Sequence, residues 1–238
     1  MDFKFEPLGE DFGLFVSKEH TFGTDAFLLS DFSRVKKSDT ACDLGTGCGI
    51  IALLWFRKNN VFPKSVLAVD IQEKAISQLG ATIQKYNLTA ITPLCADLKT
   101  LSTDFNCTFS LVTCNPPYKK EGAGILSESG ADKLARHETA CDFDDIAKTA
   151  SRLLKFGGRF CVCQRPERLC DVIDSMRRAG IEPKRLTMVQ KSEKTKPWLF
   201  LIEGKKGAKP FLEVTPPLLV FENGEYSKEM KKMYFGED

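Results

Sequence analysis

The stretch TACDLGTGCGI, residues 40–50, is the strongest indication of the fold. It joins a short apolar run to a glycine-rich turn, and the helical pattern GIIALLWFRKN continues directly from it. Glycines at 45, 47 and 49 let the chain turn tightly and let a ligand approach backbone N–H groups, while the start of a helix adds positive potential. Their spacing is GxGxG, which differs from the GxGxxG of dinucleotide-binding proteins. We therefore expect a ligand at this turn, held by backbone groups.

Short apolar runs and helical patterns alternate after this stretch, which predicts strands joined by helices. The predicted strands are residues 40–45, 65–70, 91–97, 109–114 and 158–164, and the predicted helices are residues 49–59, 73–87, 142–158 and 166–180. The third of these helices is expected to have Lys155 in its last turn and Gly157 just after it. This alternation predicts an α/β fold with a Rossmann-like, doubly wound, mostly parallel sheet.

Two more strands are predicted at residues 183–190 and 197–204, and only the segment KSEKTK lies between them. They are expected to form an antiparallel hairpin at one edge of the sheet. Residues 1–39 are interpreted as an N-terminal extension that packs on a catalytic domain of residues 40–238. Residues 119–136 are expected to form a loop, and the tail after Gly207 is expected to add strand and helix at an edge.

The composition bounds the function. The 238-residue chain has a formal net charge of +2, so binding to nucleic acid would require a local basic patch. The nine cysteines are interpreted as reduced thiols, mostly in the core, and no metal site is expected. The N-terminus lacks the pattern of a signal peptide and no apolar run is long enough to span a membrane, which predicts a cytoplasmic protein. A monomer is expected.

Acidic residues stand at the ends of three successive predicted strands. Asp43 precedes the glycines, Asp70 ends the second strand and Asp97 ends the third. Asp70 is placed to accept hydrogen bonds from a ribose diol, and Asp97 from an adenine amino group. Each acid alone is equally well explained as an ordinary Asp at a strand end or a helix cap. The three together with the glycine turn indicate a ligand that contains a nucleoside.

This set resembles the S-adenosylmethionine site of class I methyltransferases, whose hallmark is an acid-x-Gly-x-Gly-x-Gly turn. The resemblance covers roughly residues 40–204. It implies that the glycine turn lies under the methionine part of the cofactor, while the second acid holds the ribose and the third reads the adenine. The implied cofactor-binding residues are Asp43, Gly45, Gly47, Gly49, Asp70, Ile71, Asp97, Leu98 and Asn115. A nicotinamide cofactor is the alternative, and the glycine spacing disfavours it.

The fourth predicted strand ends in Asn115-Pro116-Pro117-Tyr118, which are the candidate catalytic residues. The exocyclic amine of adenine is a poor nucleophile because its lone pair is delocalised into the ring. The Asn115 side-chain oxygen and the Pro116 carbonyl can accept its N–H groups, and consecutive prolines hold both acceptors rigidly. Tyr118 offers a face for stacking. The motif resembles that of methyltransferases acting on adenine or on glutamine amide nitrogen, and it does not separate the two.

Flanking segments point to one substrate. FGTDAFLLSDF near the N-terminus, LARHE at residues 134–138 and the tail PPLLVFENGEYSKEMKKMY are similar to the bacterial tRNA1(Val) adenine-37 N6-methyltransferases. This resemblance implies N6-methylation of adenine in tRNA. In it Phe22 and Asp25 match positions that close over the cofactor, although a helix cap is equally expected of Asp25. Alternatives are a glutamine methyltransferase of release factors, an rRNA base methyltransferase and an inactive RNA-binding protein with this fold.

An RNA substrate requires a surface that binds phosphate. Basic residues outnumber acidic ones between Lys184 and Lys209, and this segment is interpreted as a basic cluster. A solvated hairpin face is the alternative. The predicted RNA-binding residues are Lys119, Lys120, Arg136, Lys194, Lys196, Lys205 and Lys206. His137, beside Arg136, is expected to have a structural or RNA-contacting role.

Overall fold

The computed structural model describes residues 3–9, 11–57, 61–117 and 142–236. The helices in these ranges are α1 (Thr24–Phe32), α2 (Ile50–Arg57), α3 (Glu73–Tyr86), α4 (Phe143–Leu153), α5 (Leu169–Arg178) and α6 (Lys228–Phe235). The strands are β1 (Lys4–Pro7), β2 (Gly13–Val16), β3 (Thr40–Leu44), β4 (Ser65–Asp70), β5 (Ile91–Cys95), β6 (Phe109–Cys114), β7 (Leu154–Gln164), β8 (Ile181–Gln190), β9 (Pro197–Lys206), β10 (Glu213–Val214), β11 (Leu218–Leu219), β12 (Phe221–Glu222) and β13 (Glu225–Tyr226).

The central sheet has the strand order β10-β8-β9-β7-β6-β3-β4-β5, and β11 also pairs with β8. Strands β3 to β7 pair in parallel with one another, whereas β9 is antiparallel to both β7 and β8. The predicted α/β class with a mostly parallel sheet and an antiparallel hairpin is therefore confirmed. The hairpin is not the outermost pair, because the tail strands β10 and β11 cover β8. The strand and helix expected in the tail are likewise confirmed.

Apolar side chains fill both faces of the sheet. Successive residues of a strand point to opposite faces, so Ala41 belongs to one buried cluster and Cys42 to the other. The first cluster contains residues of α1, α2, α3 and α6, and the second contains residues of α4 and α5. Helices on both faces explain why the central strands are almost continuously apolar in sequence. No helix in the described ranges combines the length and apolarity needed to cross a membrane.

The third predicted helix ends earlier than its sequence suggested. Helix α4 ends at Leu153, and the chain is already extended at Leu154, where φ is −70° and ψ is 139°. Lys155 and Gly157, predicted in and just after the helix, belong to β7. Pairing of Leu154 with Phe109 on β6 replaces the last helical turn, so this part of the prediction is wrong. A tertiary contact overrides local helix propensity here.

The described cysteines are of two kinds, buried and exposed. Cys42, Cys114, Cys161 and Cys163 lie in strands and are buried, and Cys48 in the glycine turn is buried as well, whereas Cys95, Cys107 and Cys170 are exposed. Cys95 lies in an apolar run and was expected in the core. It is exposed because β5, among the strands that the structure describes, is the terminal one and pairs with β4 alone. The apolar run around it therefore indicated a strand correctly and a buried position wrongly.

The N-terminal residues are joined to the rest of the chain by specific contacts. The backbone N–H of Phe15 on β2 donates to Thr82 Oγ1 of α3 at 3.0 Å. Phe12 stacks on Tyr86 with ring centroids 4.7 Å apart. On the other side, the indole N–H of Trp55 in α2 donates to a serine hydroxyl at the end of α1. These contacts fix the hairpin β1–β2 and helix α1 against α3 and α2.

Two arginines of the sheet hold the C-terminal end of α1. Arg159 on β7 donates to the carbonyl of Ser33 at 2.6 Å, and Arg185 on β8 donates to the preceding carbonyl at 2.7 Å. Arg159 pairs with Asp39 at 2.9 Å, and Arg185 pairs with Glu203 at 3.1 Å. Cations at the end of a helix satisfy its last carbonyls and complement its dipole. The position of α1 on the sheet is therefore set by a charge network in which each charge has a partner.

Candidate active site

The carboxyl ends of the central parallel strands bring the predicted site together. Leu44, the last residue of β3, pairs with Cys114 at the end of β6 on one side and with Val69 of β4 on the other. The residues that follow, Gly45 and Asn115, therefore start from neighbouring strand ends, which lie about 4.8 Å apart in a sheet. The strand order reverses between β3 and β6, and open α/β sheets bind ligands at such a switch point.

The glycine turn adopts the conformation that the sequence predicts. All three of its glycines have positive φ, with values of +67° at Gly45, +55° at Gly47 and +81° at Gly49. A side chain added at Gly45 or Gly47 would meet no atom within 4 Å, whereas one added at Gly49 would overlap with Leu79 of α3. The first two glycines thus keep space open for a ligand, and the third allows α3 to pack closely against the turn.

Five of the predicted cofactor-binding residues line one cleft beside this turn. They are Gly45, Asp70, Ile71, Asp97 and Leu98. Ile71 is 45% exposed although it is a large apolar residue, so its side chain forms an apolar wall open to solvent. Two acids, two apolar walls and a glycine backbone are the groups expected to bind the ribose and adenine of a nucleoside.

The carboxylate of Asp70 is already oriented by the backbone. Its Oδ2 accepts the N–H of Gly47 at 2.8 Å, and its Oδ1 accepts the N–H of Gln72 at 2.9 Å. Asp97 is held similarly, because its Oδ1 accepts the N–H of Lys99 at 2.9 Å. A carboxylate oxygen accepts two hydrogen bonds, so both acids keep acceptor capacity for hydroxyl and amino groups. The cleft therefore fits the adenosine part of S-adenosylmethionine.

Asp43 has a different environment from the other two acids. It is fully buried, and its oxygens accept the hydroxyls of Thr46 at 2.7 Å and Thr113 at 2.6 Å. Burial raises the pKa of Asp43 to about 6, although both hydroxyl hydrogen bonds act in the opposite direction. Asp43 is not among the residues that line the cleft. Its hydrogen bonds join β3 to the glycine turn and to β6, and so they hold the turn against the ends of both strands.

Asn115 is held by side chains from two other elements. Its Nδ2 donates to Asp25 Oδ2 of α1 at 3.0 Å, and its Oδ1 lies 3.1 Å from Cys163 Sγ of β7. The residue that precedes helix α1 is Gly23, so Asp25 lies in the first turn and is not the N-cap. Cys163 was interpreted as an ordinary core thiol. Its position one residue before the end of β7, beside β6, is the signal that places it next to Asn115.

The structure describes two of the three remaining residues of the predicted catalytic motif. Pro116 is buried and Pro117 is exposed. Tyr118 lies outside the described residues, and so do Lys119, Lys120, Arg136 and His137. Among the residues that the structure covers, no group of three or more His, Cys, Asp or Glu side chains is arranged to hold a metal ion.

The predicted basic cluster is divided between two edges of the sheet. Lys194 and Lys196 are exposed in the turn between β8 and β9, at the carboxyl edge where Asn115 lies. Lys205 and Lys206 are at the other end of β9, which is ten residues long and spans about 30 Å. The Lys206 ammonium donates to carbonyls at the end of α4 at 2.7 and 2.9 Å. The prediction of one cluster is therefore wrong, because the strand separates residues that are close in sequence.

A cation and an aromatic ring that sequence reasoning missed lie at the same carboxyl edge. The Arg165 guanidinium lies over the Trp198 ring, 5.4 Å from its centroid, and also donates to the Trp198 carbonyl at 3.0 Å. Arg165 follows the last residue of β7, and Trp198 lies at the start of β9, just after Lys196. The two positions are far apart in sequence, so only the pairing of β7 with β9 reveals the contact.

Known proteins resemble this chain in sequence and fold. The profile of the methyltransferase small domain family matches residues 7–174. A tRNA1(Val) (adenine(37)-N6)-methyltransferase from Bacteroides fragilis is 27% identical over 169 residues, which cover 70% of this chain and 69% of that protein. The protein of the same name from Photobacterium profundum is 23% identical over 214 residues, covering 87% and 86%. The solved structure of a predicted O-methyltransferase from Agrobacterium tumefaciens has a TM-score of 0.70 at 19% identity, covering 89% of this chain and 95% of that one, and its likeness concerns the fold.

Proposed function

This chain belongs to the methyltransferase small domain family, and we propose that it transfers a methyl group from S-adenosylmethionine to the exocyclic N6 of adenine in tRNA. Adenine 37 of tRNA1(Val) is the proposed target, since the two relatives described above carry that name. One observation carries the proposal: Leu44 pairs with Cys114, so the glycine turn and Asn115 start from adjacent strand ends. A cofactor at the turn and an amine at Asn115 would then lie side by side.

The cleft residues bind and orient the cofactor in this proposal. When bound, S-adenosylmethionine supplies an electrophilic methyl group on a sulfonium. Asp70 would accept hydrogen bonds from the ribose hydroxyls, and Asp97 would accept from the adenine amino group. Ile71 and Leu98, which line the same cleft, would contact the adenine ring and exclude water from it. The positive φ at Gly45 lets the backbone approach the cofactor without a side chain between them.

Asn115 and Pro116 act on the other reactant. The Asn115 Oδ1 and the Pro116 carbonyl accept the two N–H groups of the target amine, which aims its lone pair at the methyl group. With S-adenosylmethionine bound, its sulfonium would supply the methyl group, and Asn115 and Pro116 would hold the amine nitrogen facing that group. The amine proton would leave to solvent after the transfer. Catalysis rests mainly on this orientation, since holding two reactants in line removes much of the entropic barrier. We assign stacking of the target base to Tyr118 on its sequence position.

The carboxyl edge also offers groups that suit RNA. Lys191, Lys194 and Lys196 lie in the β8–β9 turn and would contact phosphates. Arg165 and Trp198 form a cation and ring pair beside them, which suits an unstacked base or a phosphate. We propose that the anticodon loop lies across this edge and that a monomer acts on it in the cytoplasm.

The test is a methylation assay with labelled S-adenosylmethionine and total tRNA from a strain that lacks the endogenous modification. Nucleoside mass spectrometry should detect N6-methyladenosine in the product of the wild-type protein. Asn115→Ala should abolish this product while calorimetry shows that cofactor binding is largely intact, because the amide contacts the amine and the cleft supplies most contacts to the cofactor. If tRNA stays unmodified and a release factor becomes methylated on glutamine, the proposed substrate is wrong.

A further inference from the structure

We infer that Asp25 is a positioning residue that determines which end of the Asn115 amide faces the target amine, with Cys163 completing the arrangement. This inference rests on the proposed function, because it assigns a role to the contacts of the proposed catalytic amide. Asp25 lies in the first turn of α1, Asn115 follows β6 and Cys163 lies near the end of β7. Three separate elements thus meet at one side chain.

The chemistry of the Asp25 carboxylate sets the direction of the amide. An ionised carboxylate accepts hydrogen bonds and has none to donate. The amide end that lies 3.0 Å from Asp25 Oδ2 must therefore be the Asn115 nitrogen, and the oxygen must point the other way. The two ends of an amide are almost identical in shape, so packing alone would allow either orientation. Asp25 removes this ambiguity by charge.

Asp25 is suited to this role because both of its oxygens act as acceptors. Its Oδ1 accepts the backbone N–H of Ala26 at 3.1 Å, while Oδ2 accepts from Asn115. An asparagine at position 25 would have one acceptor and one donor, so it could satisfy Ala26 or Asn115 but not both. The negative charge also polarises the amide, which makes the Asn115 oxygen a better acceptor for the target amine.

Cys163 lies on the oxygen side of the amide. Its sulfur is 3.1 Å from Asn115 Oδ1, and a thiol is a weak donor. A carbonyl oxygen has two lone pairs, so a thiol contact at this oxygen is compatible with a hydrogen bond from the target amine. Because the thiol bond is weak, it adds little to the orientation that Asp25 sets. We therefore expect a smaller effect from Cys163 than from Asp25.

Helix α1 fixes the position of Asp25 relative to the central sheet. Helix α1 runs beside β7, and Arg159 of β7 binds the carbonyl of Ser33 at its far end. The distance from Asp25 to Ser33 is about 12 Å along a helix, and the distance from Arg159 to Cys163 is about 13 Å along a strand. One strand therefore fixes both the C-terminal end of α1 and the surroundings of Asn115. Because these two distances agree, α1 can hold the Asp25 carboxylate beside Asn115 while its other end is bound by Arg159.

The experiment is single-turnover methylation of tRNA by six variants, which are Asp25→Ala, Asp25→Asn, Asn115→Asp, the double variant of the last two, Cys163→Ala and Cys161→Ala. Asp25→Ala should lower the methyl-transfer rate ~10–100-fold, which is the range expected for one charge-assisted hydrogen bond. Cofactor affinity should stay unchanged. Asn115→Asp alone should be nearly inactive because two carboxylates would face each other. Combining it with Asp25→Asn should raise the rate at least ~10-fold above Asn115→Asp, because the hydrogen bond returns with reversed polarity.

The matched control is Cys161→Ala. Cys161 is buried on β7, two residues before Cys163 and on the same face of the strand, so it reports the cost of losing a buried thiol without contact to the amide. Its rate should equal that of the wild type, whereas Cys163→Ala should be measurably slower. Unfolding curves identify any variant that loses its fold. If a single variant does, the rate of the double variant tests the inference instead, since that variant keeps a hydrogen-bonding side chain at both positions.

The inference is overturned if Asp25→Ala keeps the wild-type rate, or if the effects of Asp25→Asn and Asn115→Asp are additive. Failure of the proposed function has a different signature. In that case the wild-type protein leaves tRNA unmodified, and the same double-variant cycle is measured with the release factor as substrate. Coupling between the two positions supports the inference with either substrate.

Discussion

Two alanine substitutions in the glycine turn are expected to separate stability from cofactor binding. Gly45 and Gly49 both have positive φ, so alanine is strained at either position. Their surroundings differ. A Cβ at Gly49 would overlap with the Leu79 Cδ1 methyl and lie 3.0 Å from its Cγ, whereas a Cβ at Gly45 would meet no atom within 4 Å. Gly45 also lines the cleft, so the added methyl would enter the space proposed for the cofactor.

The size of each effect follows from these contacts. A left-handed conformation costs alanine ~1–2 kcal/mol, and this is the full effect on stability expected for Gly45→Ala. Gly49→Ala adds an overpacking cost of ~1–3 kcal/mol, for a total of ~2–5 kcal/mol. Conversely, Gly45→Ala should weaken cofactor binding ~10-fold, which corresponds to ~1.4 kcal/mol. Gly49→Ala should leave the affinity of the folded fraction much closer to that of the wild type.

Urea unfolding and isothermal titration with S-adenosylmethionine measure the two quantities. A double-mutant cycle with Leu79→Ala tests the cause directly. Leu79 is fully buried, so its truncation alone costs ~2–5 kcal/mol, but it also makes room for the alanine at Gly49. The free energy of unfolding of the double variant should therefore be ~1–3 kcal/mol higher than the value obtained by adding the losses of the two single variants. Equal destabilisation by the two glycine variants, or an additive cycle, would refute the reasoning.

Three more outcomes are expected. Between pH ~4 and ~6 native Asp43 keeps a proton that the unfolded chain has released, because burial raises the pKa of Asp43 to about 6. The free energy of unfolding should therefore fall by roughly 2–3 kcal/mol as the pH rises through this window. Urea unfolding measures this dependence, and the free energy of unfolding of Asp43→Asn should vary less with pH. Arg159→Met leaves buried carboxylates with fewer partners and should lower the free energy of unfolding by ~3–5 kcal/mol in the same assay, whereas a cost within ~1 kcal/mol would contradict the network. Lys194→Glu with Lys196→Glu should raise the KM for tRNA and reduce its dependence on salt, whereas Lys205→Glu, at the opposite edge, should change neither.

Features that depend on neighbouring residues could be predicted from the sequence. Apolar periodicity located the strands, and the glycine spacing with an acid before it indicated the turn and its type of ligand. The residues that follow strand ends were correctly expected to meet, because parallel strands end at one edge. Gly45, Asp70 and Asp97 accordingly line one cleft. Local pattern failed at Leu154, where pairing with β6 ends a helix that its own sequence would continue.

Contacts between distant side chains emerged from the tertiary structure. Asp25 is 90 residues from Asn115, and Cys163 is 48 residues from it, yet all three meet at the carboxyl edge of the sheet. No local pattern encodes such contacts, because they depend on the strand order and on the register between strands. The same register carries Lys205 far from Lys194, although the two are close in sequence. Periodicity specifies elements, whereas packing specifies the partners of each side chain, and the proposed orientation of Asn115 depends on packing.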